Sequence, residues 1–184
     1  MPNHCQNVLL VSGPRNAIEF FKAVNYNAET KEPITFDGIV PRSRLRNLTI
    51  SGSNEKALNA VPIACGVKDN WYDWCVSNWG TKWDAYDQDQ CEVPLLLQGH
   101  DKWKEANAAR VDTDIAHAHF RFTTAWSPPG HWLEACKKLF PMLDFQIKWR
   151  EEGGEYGFLE PDGTEGPLDD DDSDLPAPQN DDEE

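Results

Sequence analysis

Residues 115–124 read Ile-Ala-His-Ala-His-Phe-Arg-Phe-Thr-Thr, and they alternate without a break. Ala118, Phe120 and Phe122 share one parity, while His117, His119, Arg121 and Thr123 share the other. Successive side chains on a strand point to opposite faces, so this stretch is a half-buried strand with an apolar side and a polar, mildly basic side.

Downstream, Ser127 is a helix cap before Pro128 and Pro129. The helix behind it carries an apolar stripe of Trp132, Leu133, Cys136, Leu139 and Phe140, and Pro141 ends it. Residues 143–150 alternate again, with Leu143, Phe145, Ile147 and Trp149 inward and Asp144, Gln146, Lys148 and Arg150 outward. Gly153 and Gly154 signal a hairpin, with residues 155–159 as the returning strand.

Upstream, residues 7–12 form a buried strand and residues 14–25 a helix with Pro14 in its first turn. Asn70 is placed to cap a helix that runs to Trp79, with Asp73 near its positive end and Gly80 as its stop. The middle of the chain is weakly patterned. Residues 34–40 read as a short extended segment, 48–50 as a strand and 57–61 as a short helix. Residues 84–113 read as an insertion, with an apolar patch at 93–97 and a short helix at 101–110.

Strand, helix, helix, strand, helix, strand, strand is the order of an α+β domain. It fits a ferredoxin-like split βαβ layout, a mostly antiparallel sheet with helices on one face and the other face open. The domain covers residues 1–160. From Pro161 on, Pro, Gly, Asp and Glu dominate and no aromatic appears. Residues 161–184 are therefore expected to be a disordered acidic tail, with too little apolar area to offset the entropy of ordering.

The charge balance supports that division. The chain has 184 residues and a formal net charge of −15. All 17 Lys and Arg lie within residues 1–150, beside 17 Asp and Glu, so the body is formally neutral and the C-terminal segment carries the excess. A body without acidic excess is a poor mimic of a nucleic-acid backbone. Eight tryptophans supply ample core area. No stretch is apolar enough for a membrane span and the N-terminus is not a signal peptide, so a cytoplasmic protein is expected. Five scattered cysteines, none in a Cys-x-x-Cys pair, are expected to be reduced and mostly buried.

Three blocks carry a family resemblance: Met1-Pro-Asn-His-Cys-Gln-Asn-Val-Leu9 with Ser12-Gly13-Pro14, Trp71-Tyr-Asp-Trp-Cys-Val-Ser-Asn-Trp-Gly-Thr-Lys-Trp83, and Phe122-Thr-Thr-Ala-Trp-Ser-Pro-Pro129 with Tyr156-Gly157-Phe158. They resemble the YubB-like family of plasmid and bacteriophage proteins over residues 1 to about 160. The resemblance implies a ferredoxin-like fold and a mobile-element origin in a bacterial host, and it brings no catalytic residue with it. Residues 84–113 and the acidic tail depart from the family pattern. The fold name refers to topology only, since no iron–sulfur cysteine spacing is present.

Three groups of residues can carry chemistry. Trp71, Trp74, Trp79 and Trp83, with Lys82 among them, can form an aromatic platform for bases or a phosphate-bearing ligand, or pack a helix on the sheet. His117 and His119, two apart on a strand, can hold a divalent metal, with Asp112 and Asp114 taken as sharing their parity. His117, His119, Arg121, Gln146, Lys148 and Arg150 would lie on neighbouring strands of the open face, extended by Arg42, Arg44 and Arg46. Ferredoxin-like modules that bind single-stranded RNA use aromatics on that face, and none is read at its outward strand positions.

No nucleophile elbow, phosphate loop or dinucleotide fingerprint appears, and no cofactor is expected. The first reading is a non-enzymatic accessory protein of a bacteriophage or plasmid, binding a host or phage protein and modulating or countering a host factor such as a defence system. The alternative is a single-stranded nucleic-acid-binding protein whose acidic tail regulates access. A metal-dependent enzyme using His117 and His119 is the third.

Overall fold

Pro14, at φ −56° and ψ 130°, closes strand β1 (His4–Pro14) and opens helix α1 (Arg15–Asn25) without needing an N–H of its own. The computed structural model describes residues 3–52, 59–89, 94, 97–98 and 114–168. After α1 come two short 3₁₀ turns (Phe36–Gly38 and Arg46–Leu48), α2 (Ala60–Ala64) and α3 (Trp71–Trp79). Then follow β2 (Ile115–Ala125), α4 (Gly130–Leu139), β3 (Asp144–Glu151), β4 (Tyr156–Leu159) and β5 (Glu165–Gly166).

The sheet is antiparallel throughout, in the order β2-β1-β3-β4-β5. The crossover β2–α4–β3 encloses β1 between its two strands, which is the split βαβ unit of a ferredoxin-like fold. Where that fold would place a further strand beside β2, a single antiparallel bridge joins Tyr86 to Thr123. The β3–β4 hairpin extends the sheet at its other edge.

Helices α1 and α4 cover one face. Phe21 of α1 meets Phe120, Phe140 and Phe145 with ring centroids 5.8, 5.5 and 5.4 Å away. Phe36 meets Trp132, Trp79 and Phe122 at 4.8, 5.6 and 5.9 Å. Leu9, Val11, Leu133, Cys136, Ile147 and Leu159 complete this core. At Gly13 an added Cβ would lie 2.7 Å from Leu143 Cδ2 and 2.9 Å from the Met142 carbonyl, so the 142–143 turn packs against bare backbone there.

Helix α3 follows its sequence signals closely. The Asn70 side chain accepts from Asp73 N at 2.9 Å, and Gly80 ends the helix at φ +86°. Trp74 and Trp79 are buried, and Trp79 Nε1 donates to the Val40 carbonyl at 2.9 Å.

The weakly patterned middle differs from the sequence reading. Residues 34–40 turn rather than extend, because side chains occupy the place of a partner strand. Asp84 accepts from Phe36 N at 2.6 Å and from the Thr35 hydroxyl at 2.7 Å, while Gln88 pairs with Ile34 N at 3.0 Å and Ile34 O at 2.7 Å. Around Ile50 the Asn59 side chain does the same, bonding its N at 2.8 Å and its O at 2.7 Å. A 3₁₀ turn at Arg46–Leu48 replaces the expected strand, and α2 begins after Asn59. Residues 57, 58, most of 93–97 and all of 101–110 lie outside the described residues.

Ser127 does not cap α4. Its hydroxyl donates to the Gly80 carbonyl at 2.9 Å, and the helix starts three residues later. Leu139 lies on the exposed side of its helix. Beyond Pro161 the chain is ordered for a further stretch: Gly163 N bonds the Glu160 carbonyl at 3.0 Å, and β5 pairs with Phe158 and Leu159. Residues 169–184 lie outside the described residues.

Candidate functional site

The register of the sheet fixes what stands on its open face. One transverse row runs Tyr86, Thr123, Gln6, Arg150, Tyr156, and the next runs Arg121, Val8, Lys148, Phe158. A third row places His119, Leu10 and Gln146 side by side, and a fourth His117, Ser12 and Asp144. The expected outward residues are therefore all on this face, but β1 separates those of β2 from those of β3. The two ends of the face differ. The first two rows carry the cations and aromatics, set around Gln6, Thr123 and a Val8 that is buried at 2% exposure. The other end is polar, with Gln146 bonded to Glu160 at 3.3 Å and Asp144 paired to Lys137 at 3.1 Å.

Outward aromatics are present, contrary to the sequence reading. Tyr156 and Phe158 of β4 share the parity of their partners Arg150 and Lys148, and the Arg150 guanidinium lies 5.7 Å from the Tyr156 ring centre. The hairpin register, set by the turn at Gly153-Gly154, was the signal that places them there. On the opposite edge the Tyr86 hydroxyl shares a 2.7 Å hydrogen bond with His4 Nδ1 and donates to the Thr124 carbonyl at 3.3 Å. Burial, reinforced by the charge of Asp87, pushes the Tyr86 phenol up to about 12, so it is a neutral donor at physiological pH. A cleft of about 530 Å³ lies beside it, lined by His4, Gln6, Arg121 and Thr123 with Asp87 and Asp89.

The tryptophan block is divided. Trp74 and Trp79 belong to the core, and Trp71 is half-buried against it. Trp83 faces solvent at 36% exposure. Lys82 sits among three rings, its Nζ 4.8 Å from the centre of Trp83, 5.1 Å from Trp126 and 5.9 Å from Tyr72. Trp126 is 37% exposed and has φ +75°, a left-handed backbone that a bulky side chain rarely adopts. Tyr72 meets Trp126 edge-on at 5.8 Å, and Trp83 meets Tyr86 at 6.1 Å.

A buried polar network fixes this corner. The Asn7 amide donates to the Cys5 carbonyl and to Thr124 Oγ1, both at 2.8 Å, and Thr124 Oγ1 donates to the Ser127 carbonyl at 2.8 Å. Thr81 Oγ1 donates to the Ala125 carbonyl at 2.8 Å, and Trp126 N to the Asn3 carbonyl at 2.9 Å. The three sequence blocks, distant along the chain, meet here.

Two other expected groupings come apart. Arg42 and Arg46 leave the open face for the indoles of α3, each guanidinium 5.0 Å from a ring centre, Arg42 over Trp79 and Arg46 over Trp74. Asp114 has the parity opposite to His117 and His119, and its carboxylate lies 3.9 Å from Arg15 of α1. Asp112 lies outside the described residues. Among the described residues no three His, Cys, Asp or Glu gather as a metal set.

Comparison with known proteins gives a match to a family model. The family model described as a ferredoxin-like domain in Api92-like protein covers residues 99–183, which include β2, α4, β3, β4 and β5. No curated protein and no solved structure matches the chain.

Proposed function

We propose that this protein acts by binding rather than by catalysis, and that its ligand is single-stranded nucleic acid laid across the open sheet face. The observation that carries this reading is the transverse row with Tyr86 at one edge, Tyr156 at the other, and Arg150 between them. Four strand spacings of about 4.8 Å separate the two tyrosines, roughly 19 Å in all. Ferredoxin-like modules that bind single strands stack two or three bases on aromatics exposed on the sheet. Arg121, Lys148 and Arg150 supply charge for phosphates. Asp87 and Asp89, at the Tyr86 edge, suit the amino groups of bases rather than phosphate.

The C-terminal segment adds a regulatory element. Residues 169–184 contain nine Asp and Glu. A polyanion tethered to the domain competes with nucleic acid for the same cations, so it sets a threshold for binding. The resemblance of the three blocks to YubB-like proteins supports an accessory protein of a bacteriophage or plasmid, working in the bacterial cytoplasm. The fold itself is indifferent to that origin.

A second reading, docking of a host protein, is favoured by one separate feature. Phe20, Leu139 and Met142 are each more than half exposed around an apolar groove on the helical side. Ultraviolet cross-linking to a labelled single strand tests the first reading. Cross-linked peptides carrying Tyr86, Tyr156 or Phe158 support it. Failure to cross-link, together with capture of a host protein lost on Phe20→Ser, would move the function to the helical side.

A further inference from the structure

We infer that the Lys82 corner is a second, contiguous subsite for the same strand, taking a phosphate on Lys82 and a base on Trp83 or Trp126. This inference rests on the open-face reading and extends its track around the edge of β2.

Three observations carry it. The first is a cation set among aromatic rings. Lys82 Nζ lies within 6 Å of three ring centres, yet it pairs with no carboxylate among the described residues. Aromatic faces attract an ammonium electrostatically but leave its N–H donors available for an anion. A phosphate supplies both the charge and the acceptors, and neighbouring π faces suit the base attached to it.

The second is continuity. Trp83 meets Tyr86 at 6.1 Å and Tyr86 meets His4 at 5.8 Å, so aromatic rings lead without a gap from Lys82 to the first row of the open face. The third is strain held by a rigid support. Trp126 keeps a positive φ, and strained residues persist only where the surroundings over-determine them. Here the surroundings are hydrogen bonds that lock Gly80, Thr81, Ala125 and Ser127 together, the residues next to Lys82 and Trp126 in the chain. A core that only needed to fill space would not hold two indoles at the surface around an ammonium that has no carboxylate partner among the described residues.

The inference gives the track a length. Short strands occupy the open face alone, and longer ones gain the corner. The test is a length series of oligothymidylate, from 4 to 12 nucleotides, bound to the full-length protein at low salt. Lys82→Met keeps the aliphatic stem on the rings and removes the charge. Trp83→Ala removes a stacking surface that is already at the protein's exterior. Both are expected to melt with the parent.

For the parent, the 12-mer binds at least tenfold more tightly than the 4-mer. In Lys82→Met and Trp83→Ala most of that gain is lost while the 4-mer is unaffected, and Lys82→Arg restores the gain. Tyr156→Ala weakens both lengths. If the 12-mer retains its full gain in both corner variants, the corner is structural and the inference is wrong, although the open-face reading stands. If neither length binds, both fail.

Discussion

Replacing Thr124 with Val tests whether the corner is held by hydrogen bonds rather than by shape. The two side chains have nearly the same volume, and Thr124 is fully buried, so the change removes a hydroxyl and leaves the packing. That hydroxyl accepts from Asn7 at 2.8 Å and donates to the Ser127 carbonyl at 2.8 Å. Each bond is worth about 1 kcal/mol net, and leaving a carbonyl without its donor adds about 1 kcal/mol where water does not reach it. The Asn7 amide keeps the Cys5 carbonyl, so it is not orphaned. The expected loss is therefore about 2–3 kcal/mol, or roughly 4–12 °C in melting temperature for a domain of this size. Urea titration followed by tryptophan fluorescence measures it, with an unchanged slope showing that the unfolded state is the same. Thr124→Ser retains the hydroxyl and should cost only about 0.8 kcal/mol for its methyl group. A Thr124→Val loss below about 0.5 kcal/mol, or a larger loss in the Ser variant, refutes the reasoning.

Other expectations follow from burial and charge. Trp79→Ala should cost about 3–5 kcal/mol as a core cavity, whereas Trp83→Ala should cost under about 1 kcal/mol at a surface position; thermal melts distinguish them. Burial raises the Asp84 carboxyl above its ordinary value, against the pull of its hydrogen bonds to Phe36, Thr35 and Ala85. The folded state then binds that proton more readily than the unfolded state, so stability falls as pH rises from the ordinary value through the raised one. Asp84→Asn should remove that part of the pH dependence, and matching urea titrations between pH 3 and 7 would show it; an identical pH profile in both proteins would contradict it. Among the described thiols, Cys65 is exposed while burial raises Cys75, pushes Cys5 up to about 12 and holds Cys136 well above the ordinary value. In a Cys91→Ser background one thiol should react quickly with a disulfide reagent and three only on unfolding.

The elements that position the face were readable because each obeys one local rule. Strict alternation located β2 and β3, the Asn70 and Gly80 caps located α3, and the glycine pair located the β3–β4 turn. The middle was unreadable for a definite reason. Side chains of Asp84, Gln88 and Asn59 pair with backbone that would otherwise call for strands, and such pairing between residues 9 to 54 apart leaves no period in the sequence. The site was half legible. Lys82 and Trp83 stand out in the sequence through the density of tryptophans, but that density could not separate them from Trp74 and Trp79, which α3 turns inward. Trp126, Tyr72 and Tyr86 join Lys82 only through the folded corner. Tyr156 and Phe158 needed the hairpin register, because a four-residue strand is too short to show which parity faces out. Arg42 and Arg46 alternate as a strand would, yet cation–π contact with buried indoles takes them to the other side.

The central claim is that the open face binds single strands, and fluorescence anisotropy of a labelled oligonucleotide against salt tests it most directly. Full-length protein and a chain ending at Leu168, which keeps β5, are compared with Tyr156→Ala and Arg150→Gln forms of each. The account predicts binding that weakens with salt at a slope near −2 for about three phosphates. It predicts a loss of about 1–3 kcal/mol on Tyr156→Ala, a shallower slope on Arg150→Gln, and tighter binding by the shorter chain. Absence of binding by both chains at low salt, or binding that ignores Tyr156 and Arg150, would contradict it.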